Sequence, residues 1–289
     1  MNPATNVRVG GYDWLTTWRL MYDAERAQGE AATDPAFGRS EDAWAGRAQR
    51  YASAMRQQTQ PDPFMRWLLP QLRLSDRVLD VGAGTGRYLP FLAQHVRQVI
   101  AVEPSPAMRA ELAHTLHEAG VQNVQVIPGT WPLAEPIQAD VLISAHVVYG
   151  VREIGPFLEG CATAARRLCA LWLGLQHPTS TLAPFWERVH GEPRLPLPGA
   201  LEALAACYQL GLPANLALLE AGRSFRFPSL EVALEEIRMR LRLTPEPSRD
   251  AAILAAITEL LEPTADGALM PRGPQLPHAV VWWTNQEQS

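Results

Sequence analysis

VLDVGAGTGRYLPFLAQHVRQVIAVEPSPAM, Val78 to Met108, sets two short apolar runs on either side of a glycine-rich turn. Gly82, Gly84 and Gly86 fall at every second position of that turn, and the second apolar run closes on a lone acidic residue, Glu103. A strand that turns sharply into a helix through glycines can bring backbone N–H groups against a ligand, because no Cβ blocks the approach. The dinucleotide fingerprint Gly-x-Gly-x-x-Gly does not fit. Counted from Gly82 its sixth position is Arg87, and counted from Gly84 the third is Gly86 and the sixth is not glycine. What stands there is Asp80-x-Gly82-x-Gly84-x-Gly86, an acidic residue at a strand end followed by alternate glycines.

Working outward, RVLDV, QVIAVE, VQVIP, ADVLISAHVVY and CALWLGL are short apolar runs separated by helical segments. Strands alternating with helices predict an α/β protein with a doubly wound, mostly parallel sheet and helices on both faces. Before this region, Trp14, Trp18, Met21, Tyr22 and Glu25 recur at helical spacing, as do Trp44, Ala48, Tyr51, Ala52 and Met55. Asp62 and Pro63 mark a third helix start. After Gln176 the chain reads as helices over APFWERVHGE and GALEALAACYQLG, an alternating RSFRF, helices capped by Ser229 and Ser248, and a last strand, HAVVWWTN. The expected organisation is an N-terminal helical cap over 1–75, a core over 76–176, and a C-terminal part over 177–289 with cap helices and the last strands.

Composition narrows the function classes. No run approaches the roughly 18 apolar residues of a membrane span, and the start has no basic segment followed by an apolar core, so a cytoplasmic protein is expected. A net charge of -5 argues against a broad nucleic-acid surface. All 25 basic residues are arginine, which excludes Schiff-base chemistry and a phosphate-loop lysine. Cys161, Cys169 and Cys207 have neither an even count nor a paired short spacing, so they are expected as buried small hydrophobes, with no metal site.

The Asp80–glycine–Glu103 arrangement closely resembles the S-adenosylmethionine site of class I methyltransferases, a resemblance that runs from about Arg77 through Leu175. It implies a seven-stranded Rossmann-like sheet and S-adenosylmethionine as cofactor. The chemistry agrees: the cofactor's amino group suits Asp80, its carboxylate suits bare backbone donors at Gly82, Ala83, Gly84 and Gly86, and its ribose hydroxyls suit Glu103. By the same resemblance Pro104 and Met108 lie along ribose and adenine, and Thr130 and Trp131 stand where adenine is read. Tyr51 falls where related enzymes fold an N-terminal segment over the cofactor, and core packing is its other reading.

SAHVVYGV, after the fourth predicted strand, occupies the segment that usually lies near the transferring methyl. It carries neither the polar-Pro-Pro-aromatic motif of DNA adenine methyltransferases nor a Pro-Cys nucleophile, which points to a small-molecule acceptor. His146 and Tyr149 are its candidate catalytic groups, with His146 read either as a general base or as a wall of the pocket. His177, Trp186 and His190 follow the fifth strand, whose C-terminal edge should open toward the ligand crevice, and are the candidate substrate-pocket residues. Methylation of RNA or protein, and a cofactor-binding scaffold without a reaction, are the alternatives.

Overall fold

A computed structural model describes residues 11–37, 44, 48–49, 52, 62–220, 225–273 and 276–285. Helix α1 (Trp14–Ala31) starts on Asp13, whose carboxylate accepts from Thr16 N at 3.1 Å, and α2 (Pro63–Leu68) starts on Asp62 with proline at its first position. Then β1 (Arg77–Val81), α3 (Leu89–His95), β2 (Gln98–Glu103), α4 (Pro106–Ala119), β3 (Val124–Pro128), β4 (Ala139–Ala145), α5 (Ile154–Ala164) and β5 (Ala165–Gly174) alternate as the periodicity predicts. The chain continues through α6 (Ala183–His190), α7 (Ala200–Gln209), β6 (Asn215–Leu219), α8 (Leu230–Arg240), α9 (Pro247–Leu260), β7 (Leu261–Pro263), β8 (Leu269–Pro271) and β9 (His278–Thr284).

Seven strands form one sheet in the order β3-β2-β1-β4-β5-β9-β6. The first five are parallel; β9 runs antiparallel to both β5 and β6. Central strands are buried on both faces, which is why RVLDV and QVIAVE read as continuous apolar runs. Alternation still sorts them between two cores. Leu79, Ile100 and Leu142 face α1, α5 and α7 together with Trp18, Phe157 and Cys207, whereas Val78, Val99 and Val141 face α2, α3 and α4 together with Phe64, Leu92 and Leu112. A third, separate core of Phe185, Trp186, Ile237, Ile253 and Ile257 joins α6, α8 and α9 into a C-terminal cap.

Four details depart from the sequence reading. The fourth strand stops at Ala145 and does not run on to Tyr149, because His146 takes φ +60 and the chain turns into a 3-10 segment at Val148–Gly150. The last long helix is capped by Glu246, which accepts from Ser248 N and Arg249 N at 3.1 Å each, so Ser248 lies inside the helix. NLALL forms the edge strand β6, unassigned from sequence, because its backbone partner β9 arrives some sixty residues later. RSFRF makes no strand among the described residues; only Phe227 pairs, with Leu269. The three cysteines are all buried in one core and unpaired, as expected. Most of the Trp44–Met55 stripe, Tyr51 included, lies outside the described residues.

Candidate functional site

The glycine turn follows β1 at the C-terminal edge of the sheet, where open α/β sheets carry their ligands. Gly82, Gly84 and Gly86 have φ of +76, +57 and +78, the left-handed region that glycine enters without steric cost. Their surroundings differ. A Cβ on Gly82 would sit 2.3 Å from Val147 Cγ2, so this glycine lets the turn after β4 close on the loop. A Cβ on Gly86 would press on Leu112 and Leu89 at 3.1 and 3.2 Å. At Gly84 no atom of the described residues lies within 4 Å: among them, bare backbone faces open space.

Two carboxylates flank the loop. Glu103, at the end of β2, is buried and held by two backbone donors, Gly84 N to Oε2 at 2.8 Å and Ser105 N to Oε1 at 2.8 Å. Asp80 is buried at the end of β1, and burial followed by repulsion from Glu103 pushes its carboxyl up to about 7. A carboxyl so placed favours a cation beside it. Around the same hollow Arg87 pairs with Asp62 and lies over the Tyr88 ring, while Tyr88 donates to Asp62 at 2.8 Å. Asp80, the glycine loop, Arg87, Tyr88 and His146 enclose about 40 Å³, room for a water molecule and not for a metabolite.

Beyond Ala145 the wall is aromatic. His146 N donates to Trp172 O at 2.8 Å, and its ring lies 5.3 Å from His278 and 5.9 Å from Trp172. Burial, then His278 and Arg87, push the His146 imidazole down to about 3, so it is neutral at physiological pH. Tyr149 accepts from Gly174 N, lies 3.4 Å from His146 Nδ1, and is held protonated by burial. His177 meets the Tyr149 ring edge-on at 4.5 Å and its Nδ1 accepts from Thr179 N at 3.1 Å. His146, Tyr149 and His177 thus come together. Trp186 and His190 do not join them; their rings meet at 4.1 Å, tilted by 39°, with Trp186 in the third core.

The remaining candidates spread along the sheet edge. Met108 is buried, and its N–H is capped by Ser105; Pro104 is exposed, its carbonyl accepting from Arg109 at 2.6 Å. Thr130 is exposed, and the Trp131 indole donates to Phe157 O on α5 at 3.3 Å. Trp172 and His278 were missed from sequence. The antiparallel register that sets His278 opposite Gly174 brings in a residue more than a hundred positions away, and only the first letter of HAVVWWTN hinted at it. Arg87 was missed too, and its signal was a cation one residue past the last loop glycine.

A larger hollow of about 820 Å³ opens at the other, N-terminal edge, lined by Arg73, Asp76, Arg97, Asp140 and Arg167 among others. It has neither a glycine turn nor a strand C-terminus, so the C-terminal edge is the candidate site. Among the described residues no group of His, Cys, Asp and Glu is arranged to hold a metal, and no helix is long and apolar enough to cross a membrane.

A sequence family described as a methyltransferase domain matches residues 78–167. A protein-L-isoaspartate O-methyltransferase from Methanoregula boonei is 33% identical over 85 residues, 28% of this chain and 39% of that protein. A dimethyladenosine transferase from Kluyveromyces lactis is 36% identical over 75 residues, 26% of this chain and 23% of that protein. The matches therefore span less than half the length of these curated relatives. The YcgJ protein from Bacillus subtilis shares the fold, with a TM-score of 0.52 at 16% identity over 77% of this chain and 98% of that one.

Proposed function

Taking as premise that residues 78–167 form a class I S-adenosylmethionine-dependent methyltransferase domain, we propose that this protein binds S-adenosylmethionine and methylates a small-molecule acceptor. The observation that carries the reading is the bare backbone of Gly84 facing open space between two buried carboxylates. Asp80 receives the cofactor's amino group, Glu103 its ribose hydroxyls and Arg87 its carboxylate, and the bare Gly84 backbone lets the ligand come close. Met108, Pro104 and Thr130 lie along the adenosine side. The hollow must widen for this, by separation of the loop from the His146 turn.

Held by Asp80, Glu103 and Arg87, the cofactor would supply an electrophilic methyl group on a sulfonium for in-line transfer to the acceptor's lone pair, with the thioether as leaving group. The chain's own contribution is positioning and exclusion of water. His146, neutral and buried, serves as a wall and hydrogen-bonding group, and Tyr149 as a protonated donor. The cluster of contacting rings beside the hollow, His146, Tyr149, Trp172, His177 and His278, suits a small acceptor better than a macromolecular one.

Calorimetry tests the cofactor assignment. S-adenosylmethionine should bind and NAD should not. Because Asp80 must be ionised to hold the amino group, affinity should rise by up to tenfold per pH unit toward about 7 and then level. The protein without ligand should do the opposite: a carboxyl raised above its unfolded value of 3.8 withdraws stability as pH rises from about 4 to about 7. Asp80→Asn should flatten both profiles, and an unchanged profile in that variant would remove Asp80 from the site. Incubation with methyl-labelled cofactor and separate metabolite, protein and RNA fractions identifies the acceptor class; label in protein or RNA alone overturns the small-molecule reading.

His146→Asn separates wall from base. The amide keeps hydrogen-bonding capacity but takes no proton at neutral pH. As a wall, the variant should keep the pH dependence of single-turnover methyl transfer and lose rate by less than about tenfold; a loss of about 10²–10⁴-fold would restore the general base.

A further inference from the structure

The strongest unexplained feature outside the glycine-loop site is a pair of guanidinium groups under α1, that of Arg194 buried and that of Arg242 half-buried. Resting on the methyltransferase reading above, we propose that Arg194, seconded by Arg242, anchors an oxyanion, a carboxylate or phosphate, carried by the acceptor molecule.

Arg194 lies in the segment between α6 and α7, with its Cζ 3.6 Å from the centre of the Trp186 ring. Its side chain is only 9% exposed, and it pairs through Nη2 with Glu25 of α1, itself buried. Nη1 of the same guanidinium is buried with no hydrogen-bond partner among the described residues, as are Trp186 Nε1 and His190 Nε2 beside it. Buried polar groups without partners are rare in folded proteins, and each calls for a reason.

Arg242 approaches the same spot. The position a Cβ on Gly29 would take lies 3.0 Å from Arg194 Nη2 and 3.0 Å from Arg242 Nη1, so the two guanidinium groups sit side by side against one small residue of α1. Arg242 has no ion-pair partner among the described residues, and it holds φ +59 at the end of α8, a conformation that glycine enters without strain and arginine does not. Two cations thus lie side by side with Glu25 paired to one of them, Arg194, and Glu192 acting on that same arginine. Like charges brought together out of water repel strongly, and a second oxyanion relieves that repulsion. Arginine's planar fork matches carboxylate and phosphate geometry.

The charge of Arg194 reaches the aromatic wall of the site. His177, in edge-on contact with Tyr149, is pushed down to about 4 by burial and then by the positive field of Arg194 and Arg240. An acceptor whose nucleophile lies by His146 and Tyr149 therefore meets a positive field on its far side, beyond His177. Trp186, its ring under the Arg194 guanidinium, holds that arginine from within the cap.

The test uses full-length protein titrated with sodium acetate and, separately, inorganic phosphate, with ionic strength held constant by chloride and the thermal midpoint followed. At least one oxyanion should give a saturable rise: acetate alone identifies a carboxylate, phosphate alone a phosphate. The apparent Kd should increase about tenfold or more in Arg194→Gln and by a smaller factor in Arg242→Asn, where asparagine tolerates the left-handed backbone. No saturable response in the wild type, or equal responses in all three proteins, overturns the proposal. If Arg194→Gln does not fold, Arg242→Asn alone decides. Cofactor calorimetry on the same wild-type sample reports separately, so a protein that binds the anion but not S-adenosylmethionine sinks the methyltransferase reading, and the reverse result sinks only this one.

Discussion

Gly84→Val is expected to weaken S-adenosylmethionine binding by at least about 100-fold while the protein stays folded, since the loss of close backbone approach removes several polar contacts at once. The fold should survive because no atom of the described residues lies within 4 Å of a Cβ at this position. The remaining penalty is the left-handed backbone at φ +57, about 1–2 kcal/mol for a residue with a Cβ. Gly82→Ala is the contrast. It carries the same backbone penalty, but its Cβ falls 2.3 Å from Val147 Cγ2, so the turn bearing His146 and Tyr149 has to move. Denaturant unfolding and calorimetry on both variants separate the two roles: Gly82→Ala should lose more stability than Gly84→Val and Gly84→Val more affinity. Near-wild-type affinity in Gly84→Val would mean that the ligand does not approach the loop there.

The second large effect belongs to Trp18. It is fully buried on α1, packs into the core on one face of the sheet, and donates through Nε1 to Val151 O at 2.8 Å. Trp18→Ala should destabilise the protein by about 3–5 kcal/mol, from lost apolar burial and the cavity left behind. For a chain of this size that lowers the thermal midpoint by about 10 °C. Trp18→Phe keeps most of the ring volume and loses the hydrogen bond, so about 1–2 kcal/mol is expected. Because Val151 directly follows the turn that carries His146 and Tyr149, Trp18→Ala should also broaden the environment of those rings. Urea unfolding reads the first effect. Equal stabilities of the alanine and phenylalanine variants would show that the indole is not packed as described.

Alternation of apolar runs with helical segments placed β1 to β5 and their helices from the chain alone, because each strand buried on both faces writes its own continuous hydrophobic signature. The glycine turn and the carboxylates Asp80 and Glu103 were legible for a related reason: a left-handed backbone and a close approach demand glycine locally, whatever packs around them. Tertiary structure alone decided the rest. That β9 enters antiparallel between β5 and β6, setting His278 opposite Gly174, depends on pairing between distant segments that no local period encodes. It also decided that His177 joins Tyr149 while Trp186 and His190 turn into the cap, since all three follow the same strand and differ only in what folds over them. The protonation of Asp80 and His146 is tertiary for the same physical reason: burial and neighbouring charge, which move a carboxyl up to about 7 and an imidazole down to about 3, exist only once the surrounding chain has closed.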